Sequence, residues 1–185
     1  MAESPALRTA RLDMMPMGRP ADLEALVAFH ADPQIMATMR DGVLTPTQVE
    51  NLVAGYAATW RDKGFGMWVL RRRETGGFVG ICGLMERADL DAVALRFALR
   101  QEEQGAGLAS EAVAAALAFA FETRGLDRVV GVARAANVGS RRVMERAGMR
   151  FEWAWTRNDA EMTLYAIEKR RWLEQRRAGD QPIGT

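Results

Sequence analysis

Gln104-Gly-Ala-Gly-Leu-Ala-Ser-Glu-Ala112 joins a strand-like segment to the strongest helical pattern in the chain. Within it, Gly105 and Gly107 can adopt positive φ angles and let a ligand approach the backbone closely. Consecutive N–H groups before a helix, together with the positive end of the helix dipole, make a site for phosphate oxygens. The segment therefore predicts a phosphate-binding loop, although two glycines before a helix also fit a plain structural loop.

The spacing excludes two nucleotide-binding motifs. A P-loop needs Lys and Ser or Thr after its last glycine, whereas Leu108 follows Gly107. A dinucleotide-binding fingerprint needs a third glycine at the position of Ser110 and an acidic residue at the end of the next strand. Asp127 precedes that strand instead.

Strand-like and helix-like patterns alternate around this loop. The three strands before it read as an antiparallel meander, and the helix after it is apolar on almost all sides, which indicates cover on more than one side. The expected strands are residues 9–14, 65–70, 78–85, 93–99, 128–133, 151–155 and 162–167, and the expected helices are 21–30, 46–63, 109–124 and 138–147. This order predicts an α/β (α+β) fold with a mixed, mostly antiparallel central sheet of about seven strands and helices on both faces.

A second element with possible chemistry begins at Asn137, after the strand 128–133. Asn137 stands where a helix N-cap belongs, and its amide can also bond outward to a ligand. The plainer interpretation is a capped amphipathic helix whose apolar face includes Val143 and Met144. These residues alone leave both interpretations open.

Together, the two elements are far more specific than either one. With the segments around them, they resemble the GNAT N-acyltransferase superfamily, and within it the branch that includes ribosomal-protein-alanine N-acetyltransferases. The resemblance covers most of the chain, and its most specific part is the last three of the following segments in their order and spacing. The segments are Thr9-Ala-Arg-Leu, Ala31-Asp-Pro-Gln-Ile-Met36, Phe78-Val-Gly-Ile-Cys-Gly-Leu84, Gln104 to Ala112, Gly125-Leu-Asp-Arg-Val-Val130, and Asn137-Val-Gly-Ser140 through Gly148-Met-Arg-Phe151.

The resemblance implies acetyl-CoA as the co-substrate, an amine as the acceptor, and no metal. It implies that Asn137 bonds the pantetheine or the acceptor, that Ser140 lies near the thiol end, and that Arg141 or Arg142 meets the 3′-phosphate unless it is only a solvated helix residue. A backbone N–H beside the pantetheine arm would polarise the thioester carbonyl. The implied contacts are Phe97, Ala98 and Leu99 beside the pantetheine arm, and the backbone amides of Gln104, Gly105, Ala106, Gly107, Leu108 and Ala109 at the pyrophosphate.

The catalytic residues are harder to assign. The tyrosine that many GNAT enzymes use as general acid is replaced by Met144, which cannot donate a proton, so Ser140 or a water bound to it is the nearest substitute. A thiol with an ordinary pKa of about 8.5 leaves fairly well unaided. The candidate bases are His30, Glu86 and a bound water. Glu111 is expected to be structural and to bond loop backbone.

The composition excludes several classes of protein. The 185 residues fit one compact domain, expected at residues 1–170, followed by a polar, frayed tail at 171–185. Lys and Arg total 25, Asp and Glu total 24, and the net charge of +1 indicates neither nucleic-acid binding nor a membrane surface. A single cysteine and the lack of an apolar leader favour a cytoplasmic protein. The final strands and the apolar helix 109–121 leave both a monomer and a homodimer open.

Two further features have structural interpretations. Cys82 lies in mid-strand between Ile81 and Gly83, which favours a buried small residue over an acyl-cysteine nucleophile. Arg71-Arg72-Arg73 abuts a turn and is expected to be a solvated strand end.

The function that the sequence favours is acetyl transfer from acetyl-CoA to a primary amine, either a protein N-terminus or a small-molecule amine, by direct attack in a ternary complex. The alternative is a CoA-binding sensor or interaction module with weak or lost turnover, which Met144 at the acid position keeps open. The balanced charge mildly disfavours a dedicated polyamine enzyme.

Overall fold

The computed structural model describes residues 5–37 and 42–179, and its centre is one eight-stranded sheet. The strand order is β1-β2-β3-β4-β5-β6-β8-β7, and neighbouring strands are antiparallel except for β5 and β6. The strands are β1 Leu7–Arg8, β2 Leu12–Pro16, β3 Met67–Arg72, β4 Phe78–Arg87, β5 Ala92–Leu99, β6 Arg128–Arg134, β7 Arg150–Arg157 and β8 Ala160–Glu168. The predicted mixed, mostly antiparallel sheet is confirmed. The strand beyond the expected seven is β1, which is too short to carry an alternation pattern.

Six helices accompany the sheet within the described ranges. They are α1 Leu23–Ala31, α2 Pro33–Met36, α3 Pro46–Lys63, α4 Leu108–Ala118 with a π-helical turn at Phe119–Thr123, α5 Val138–Arg146 and α6 Lys169–Gly179. A capping box fixes the start of α3, because Thr45 and Gln48 each accept a hydrogen bond from the other's backbone N–H. None of the helices in these two ranges is long and apolar enough to cross a membrane.

Side chains of alternate residues divide the sheet into two faces. On the face that we call the α4 face, Leu95 and Phe97 of β5 pack in the main core cluster together with α4 and α5. On the opposite face, which we call the α3 face, Ala98 packs with residues of α1 and α3. Ala94 points to the same face as Ala98 but belongs to a separate small cluster with Val130, which contains no residue of either helix. This part of the α3 face lies beside the site described below.

Two expectations about polar segments are wrong. The tail expected to be frayed from residue 171 is helical up to Gly179, because Trp172 is buried against Phe121 with the ring centroids 5.4 Å apart. Residues 180–185 of that tail lie outside the described part of the chain. The run at residues 71–73 is also not merely solvated, because each of its arginines makes a long-range contact. Arg71 pairs with the buried Asp22 at 2.6 Å, and Arg72 pairs with Glu103 at 2.5 Å.

We expect Gly83→Ala to destabilise the fold severely. Gly83 lies opposite Met67 in the β3–β4 pairing, and a Cβ atom there would stand 2.5 Å from the Met67 Cα atom and closer still to the Gly66 carbonyl oxygen. Backbone atoms of a central strand cannot move aside, so the free energy of unfolding should fall by about 3 kcal/mol or more. Urea unfolding followed by circular dichroism measures this change.

The matched control is Gly55→Ala in the middle of α3, where no atom lies within 4 Å of the new Cβ. This substitution should raise the free energy of unfolding by about 0.5–1 kcal/mol. Equal effects of the two substitutions would contradict the close-packing explanation.

Candidate functional site

A cleft opens where β5 and β6 diverge. The two strands pair only at Ala94 with Val130 and at Leu95 with Gly131. Beyond these pairs, residues of both strands line a cleft of about 180 Å³, and residues of β4, α5 and the β7–β8 hairpin complete it. The sheet is therefore interrupted between β5 and β6, and the two strands are not hydrogen-bonded along their whole length.

The β5 edge at this opening carries backbone groups that can pair with an extended ligand. Arg100 N–H donates to Val79 O on β4 at 2.9 Å. Because alternate residues of an antiparallel strand bond to alternate sides, the N–H groups of Phe97 and Leu99 face the cleft, whereas those of Ala98 face β4. Leu99 O already accepts from the Gln104 side chain at 3.0 Å. Of the three residues expected beside the pantetheine, Phe97 and Leu99 thus present backbone groups and Ala98 does not.

The glycine loop ends in a helix N-terminus without a side-chain cap. Gly105 and Gly107 both have φ of +80°, and Gly107 is the N-cap residue of α4. The first bond into the helix is from Glu111 N–H to Gly107 O at 3.1 Å, so the N–H groups of the residues between them have no acceptor in the helix. The buried side chain of Leu108 anchors this turn in the core, while Gln104, Gly105, Ala106 and Gly107 are exposed.

Glu111 and Arg11 fix the position of the loop. Glu111 Oε1 accepts from Thr9 Oγ1 at 2.6 Å and from Arg11 N–H at 2.7 Å, and Oε2 accepts from Arg11 Nε at 2.7 Å. Arg11 Nη1 in turn donates to Ala106 O at 2.8 Å. Burial raises the pKa of Glu111, but the hydrogen bonds from Thr9 and Arg11 outweigh it and leave the pKa below its ordinary value. The structural role expected for Glu111 agrees with these contacts.

Arg11 also contacts the loop, although it lies far from it in sequence. Its guanidinium lies beside the glycines, with Nη2 only 3.5 Å from where a Cβ atom of Gly107 would be. The residue stands within the segment Thr9-Ala-Arg-Leu that contributes to the family resemblance. No local pattern links it to a loop about 95 residues away.

The α5 side of the cleft contains Asn137, Ser140 and Met144. Asn137 Oδ1 caps the helix by accepting from Ser140 N–H at 3.0 Å, while Nδ2 has no hydrogen bond to a described residue. Met144 is buried, and its sulfur lies over Gly131, where a Cβ atom would collide with it. Asn137 thus caps the helix and still lines the cleft, and Met144 supplies no proton donor.

Arg141 turns toward the protein instead of toward the cleft. Its Nε donates to the Tyr165 hydroxyl at 3.0 Å and its Nη1 donates to Ala135 O at 3.0 Å. The Tyr165 hydroxyl donates to Glu145 at 3.0 Å. These contacts favour a structural role for Arg141 over the 3′-phosphate contact, which the exposed Arg142 remains able to make.

The two side chains considered as general bases do not line the cleft. Glu86 is not among the residues that line the cleft, although its neighbours Met85 and Arg87 are, and its carboxylate pairs with Lys63 Nζ at 3.1 Å. His30 is fully buried at the end of α1, and its Nδ1 donates to Leu26 O at 2.8 Å. Neither side chain therefore lies in the described lining of the cleft, and their assignment as bases stays an untested prediction.

Cys82 agrees with its structural interpretation. It is fully buried in mid-strand on β4, and burial raises the pKa of its thiol well above the ordinary value. A thiol with a raised pKa carries little thiolate, which is the nucleophilic form. An acyl-cysteine intermediate at this position is therefore disfavoured.

The fold and the cleft agree with the class of acetyltransferases that the sequence resembles. A family model described as an acetyltransferase (GNAT) domain matches residues 11–150. The chain therefore belongs to the GNAT acetyltransferase family.

Two proteins of known structure have the same fold, and one further protein is similar in sequence. An acetyltransferase from Agrobacterium tumefaciens is 29% identical over 89% of this chain and 94% of its own, with a TM-score of 0.78. RimL, a ribosomal L7/L12 α-N-protein acetyltransferase solved in complex with coenzyme A, is 17% identical over 89% of this chain and 98% of its own, with a TM-score of 0.75, and this likeness concerns the fold alone. The uncharacterized protein YkkB of Bacillus subtilis is 28% identical over 124 residues, which are 65% of this chain and 70% of YkkB.

We expect Glu111→Gln to destabilise the protein in a pH-dependent manner. The substitution weakens three hydrogen bonds to a mostly buried carboxylate, so the free energy of unfolding at pH 7 should fall by about 1–3 kcal/mol. Because the pKa of Glu111 is lower in the folded state, the ionised form stabilises the fold above the ordinary pKa of 4.5, and this contribution is lost as the pH falls through the folded value. Thermal unfolding at pH 7 and at about pH 3.5 should therefore show a smaller difference at acid pH.

Glu122→Gln is the control, since Glu122 pairs with Arg176 at 3.0 Å while both side chains are more than half exposed. Its effect should stay below about 0.5 kcal/mol at either pH. An effect of Glu111→Gln that does not change with pH would contradict the ionised-carboxylate explanation.

Proposed function

We propose that the protein is an acyl-CoA-dependent N-acetyltransferase that transfers an acetyl group from acetyl-CoA directly to a primary amine. One observation carries the proposal: the sheet opens between β5 and β6 beside a helix that begins with uncapped N–H groups. This arrangement combines a backbone edge for an extended, amide-containing arm with donors for its phosphates. Pantetheine and pyrophosphate are these two parts of CoA.

The residues present fit such a co-substrate. The backbone N–H groups from Gly105 to Ala109 would receive the pyrophosphate, whereas the Gln104 N–H, which was also expected there, already donates to Gln101 O at 3.1 Å. Arg11 adds a positive charge beside these groups. Phe97 and Leu99 would pair with the pantetheine amides, with Asn137 across the cleft. RimL, which shares the fold, was solved with coenzyme A, and this supports the choice of co-substrate.

The reaction requires one bond to form and one to break at the thioester carbon. The neutral amine attacks the carbonyl, a tetrahedral oxyanion forms, and the C–S bond breaks to release the CoA thiolate while the amine nitrogen loses a proton. A backbone N–H on the open edge of β5, from Phe97 or Leu99, would stabilise the oxyanion. Holding both reactants side by side in the cleft would accelerate the reaction further, because a bimolecular step becomes effectively unimolecular.

Ser140 is the only hydroxyl-bearing side chain among the described residues that line the cleft. It would donate a proton, directly or through water, to the departing thiolate. Because the thiol has an ordinary pKa of about 8.5, this help is modest in comparison with what an alkoxide leaving group would need.

The described lining of the cleft contains no His, Asp or Glu side chain. The amine proton is therefore removed by water, or the amine is already neutral when it binds. An α-amine has a pKa of about 7.7–8.0, so about half of it is neutral near pH 7.8, whereas a lysine side chain with a pKa of about 10.4 is well under about 1% neutral. The absence of a base in this described lining thus favours an α-amine as the acceptor.

The binding part of the proposal predicts selective stabilisation by CoA species. Acetyl-CoA or CoA at about a hundredfold excess over its dissociation constant should add about 2.7 kcal/mol to the free energy of unfolding, whereas ATP and NAD should not. The shift in melting temperature measures this. No shift with either CoA species would refute the proposal, and a shift without thiol release on a broad amine panel would favour a non-catalytic CoA-binding module.

The catalytic part predicts a pH profile set by the acceptor. For a peptide α-amine, kcat/KM should rise with pH and level off near about pH 8, and for a lysine ε-amine the midpoint should move toward about pH 10. Thiol release measured from pH 6 to about pH 10 with the two acceptors provides the test. One shared midpoint near about pH 6–7 for both acceptors would instead indicate a base on the enzyme.

A further inference from the structure

Residues from both faces of the sheet line the cleft, and the two sides differ in chemistry. On the α4 face it is lined by Asn137, Ser140 and Met144 of α5. On the α3 face its lining contains four arginines: Arg87, Arg96, Arg134 and Arg157. We call these four residues the arginine rim.

Strand alternation assigns the arginine rim to the α3 face. Each arginine stands two residues after a member of the small cluster that includes Ala94 and Val130, and residues two apart in a strand share a face. The preceding members, in the same order as the arginines, are Met85, Ala94, Val132 and Trp155. The glycine loop leads into α4, and Arg11 contacts that loop, so both lie on the α4 face. The arginine rim is therefore on the other face of the sheet from the expected position of the CoA phosphates.

The four arginines are not equally available to a ligand. Arg87 is held by Asp89 in a two-point ion pair at 2.8 and 2.7 Å, and its side chain is only 12% exposed. Arg96 donates to the Tyr56 hydroxyl of α3 at 3.1 Å. Arg134 and Arg157 form no ion pair with any residue of the described ranges. Together with the lack of an acidic side chain in the described lining, they make this side of the cleft positive.

A guanidinium group pairs with a carboxylate through two parallel hydrogen bonds, and a cationic opening repels a second cation. On the basis of the proposed function, we propose that Arg134 and Arg157, on the α3 face of the cleft, select an α-amine that carries carboxylates close to the reacting nitrogen. Two sources provide this chemistry: the acidic N-terminus of a polypeptide and a free acidic amino acid. Polyamines and peptides with basic N-termini are excluded by charge.

The test compares acceptors that differ only in charge. Thiol release from acetyl-CoA is measured at low salt with peptides that begin Ala-Asp-Asp, Ala-Asn-Asn and Ala-Lys-Lys, and with free glutamate. The acidic peptide should exceed the neutral one in kcat/KM by about tenfold, and the advantage should shrink as salt screens the rim. The relative rates of acidic peptide and glutamate identify the source.

The double variant Arg134→Gln, Arg157→Gln should reduce kcat/KM for the acidic peptide to about the value for the neutral one. The variant Arg134→Glu, Arg157→Glu should move the preference toward the basic peptide. Arg177→Gln, an exposed arginine on α6, is the matched control and should leave the preference unchanged. The shift in melting temperature with acetyl-CoA serves as the folding and co-substrate readout for every variant.

Equal kcat/KM for acidic and neutral peptides, or a preference that survives the double variant, would overturn the acceptor proposal while the proposed transfer reaction stands. Binding of the same peptides to the CoA-loaded protein, followed by fluorescence anisotropy, gives a second readout that needs no turnover. Preferential binding of the acidic peptide supports the proposal, and equal binding overturns it. A missing response to acetyl-CoA, by contrast, is evidence against the proposed function itself.

Discussion

The site depends on the interruption of one strand pairing. β5 pairs with β4 along its whole length, from Ala92 to Leu99, but with β6 at only two positions. Backbone groups in a sheet normally satisfy one another, so an edge inside the sheet is retained only where something else can fill it. The long pairing with β4 keeps this edge straight, and Gly131, which lies beneath Met144, lets α5 approach at the point of divergence. The same interruption creates the cleft and connects the two faces of the molecule.

The loop beside the cleft is held by contacts that are distant in sequence. Arg11 and Glu111 connect the β1–β2 turn to α4, and Arg72 reaches Glu103 at the start of the loop. The backbone N–H groups at the helix start are therefore ordered before any anion binds, which reduces the conformational entropy that binding must remove. The depressed pKa of Glu111 indicates that these contacts favour the ionised carboxylate. The same side chains therefore stabilise the fold and pre-order the backbone N–H groups of the loop.

Local patterns predicted the fold and two of the elements beside the cleft. The sheet type, the helix starting after Gly107 and the cap at Asn137 all follow from periodicity and turn residues close in sequence. The two side chains considered as bases do not line the cleft, and their positions depend on contacts distant in sequence: Glu86 lies between Met85 and Arg87, which line the cleft, but its carboxylate pairs with Lys63. Arg11 and the arginine rim were missed because residues from separate strands meet only after the sheet has formed. The expectation of a frayed tail was wrong because one buried aromatic residue, Trp172, is enough to anchor a mostly polar helix.

A near-zero net charge concealed a strong local separation of charge. The whole chain carries +1, and that balance argued against nucleic acids, a membrane surface and, mildly, polyamines. The described lining of the cleft nevertheless contains arginines and no acidic side chain. Guanidinium groups near a bound ammonium lower its pKa and favour the neutral, nucleophilic amine, while the same groups attract a carboxylate. The same arginines can therefore favour the neutral amine, which partly replaces a general base, and select an acidic acceptor. Both effects follow from the excess of guanidinium groups in the described lining of the cleft.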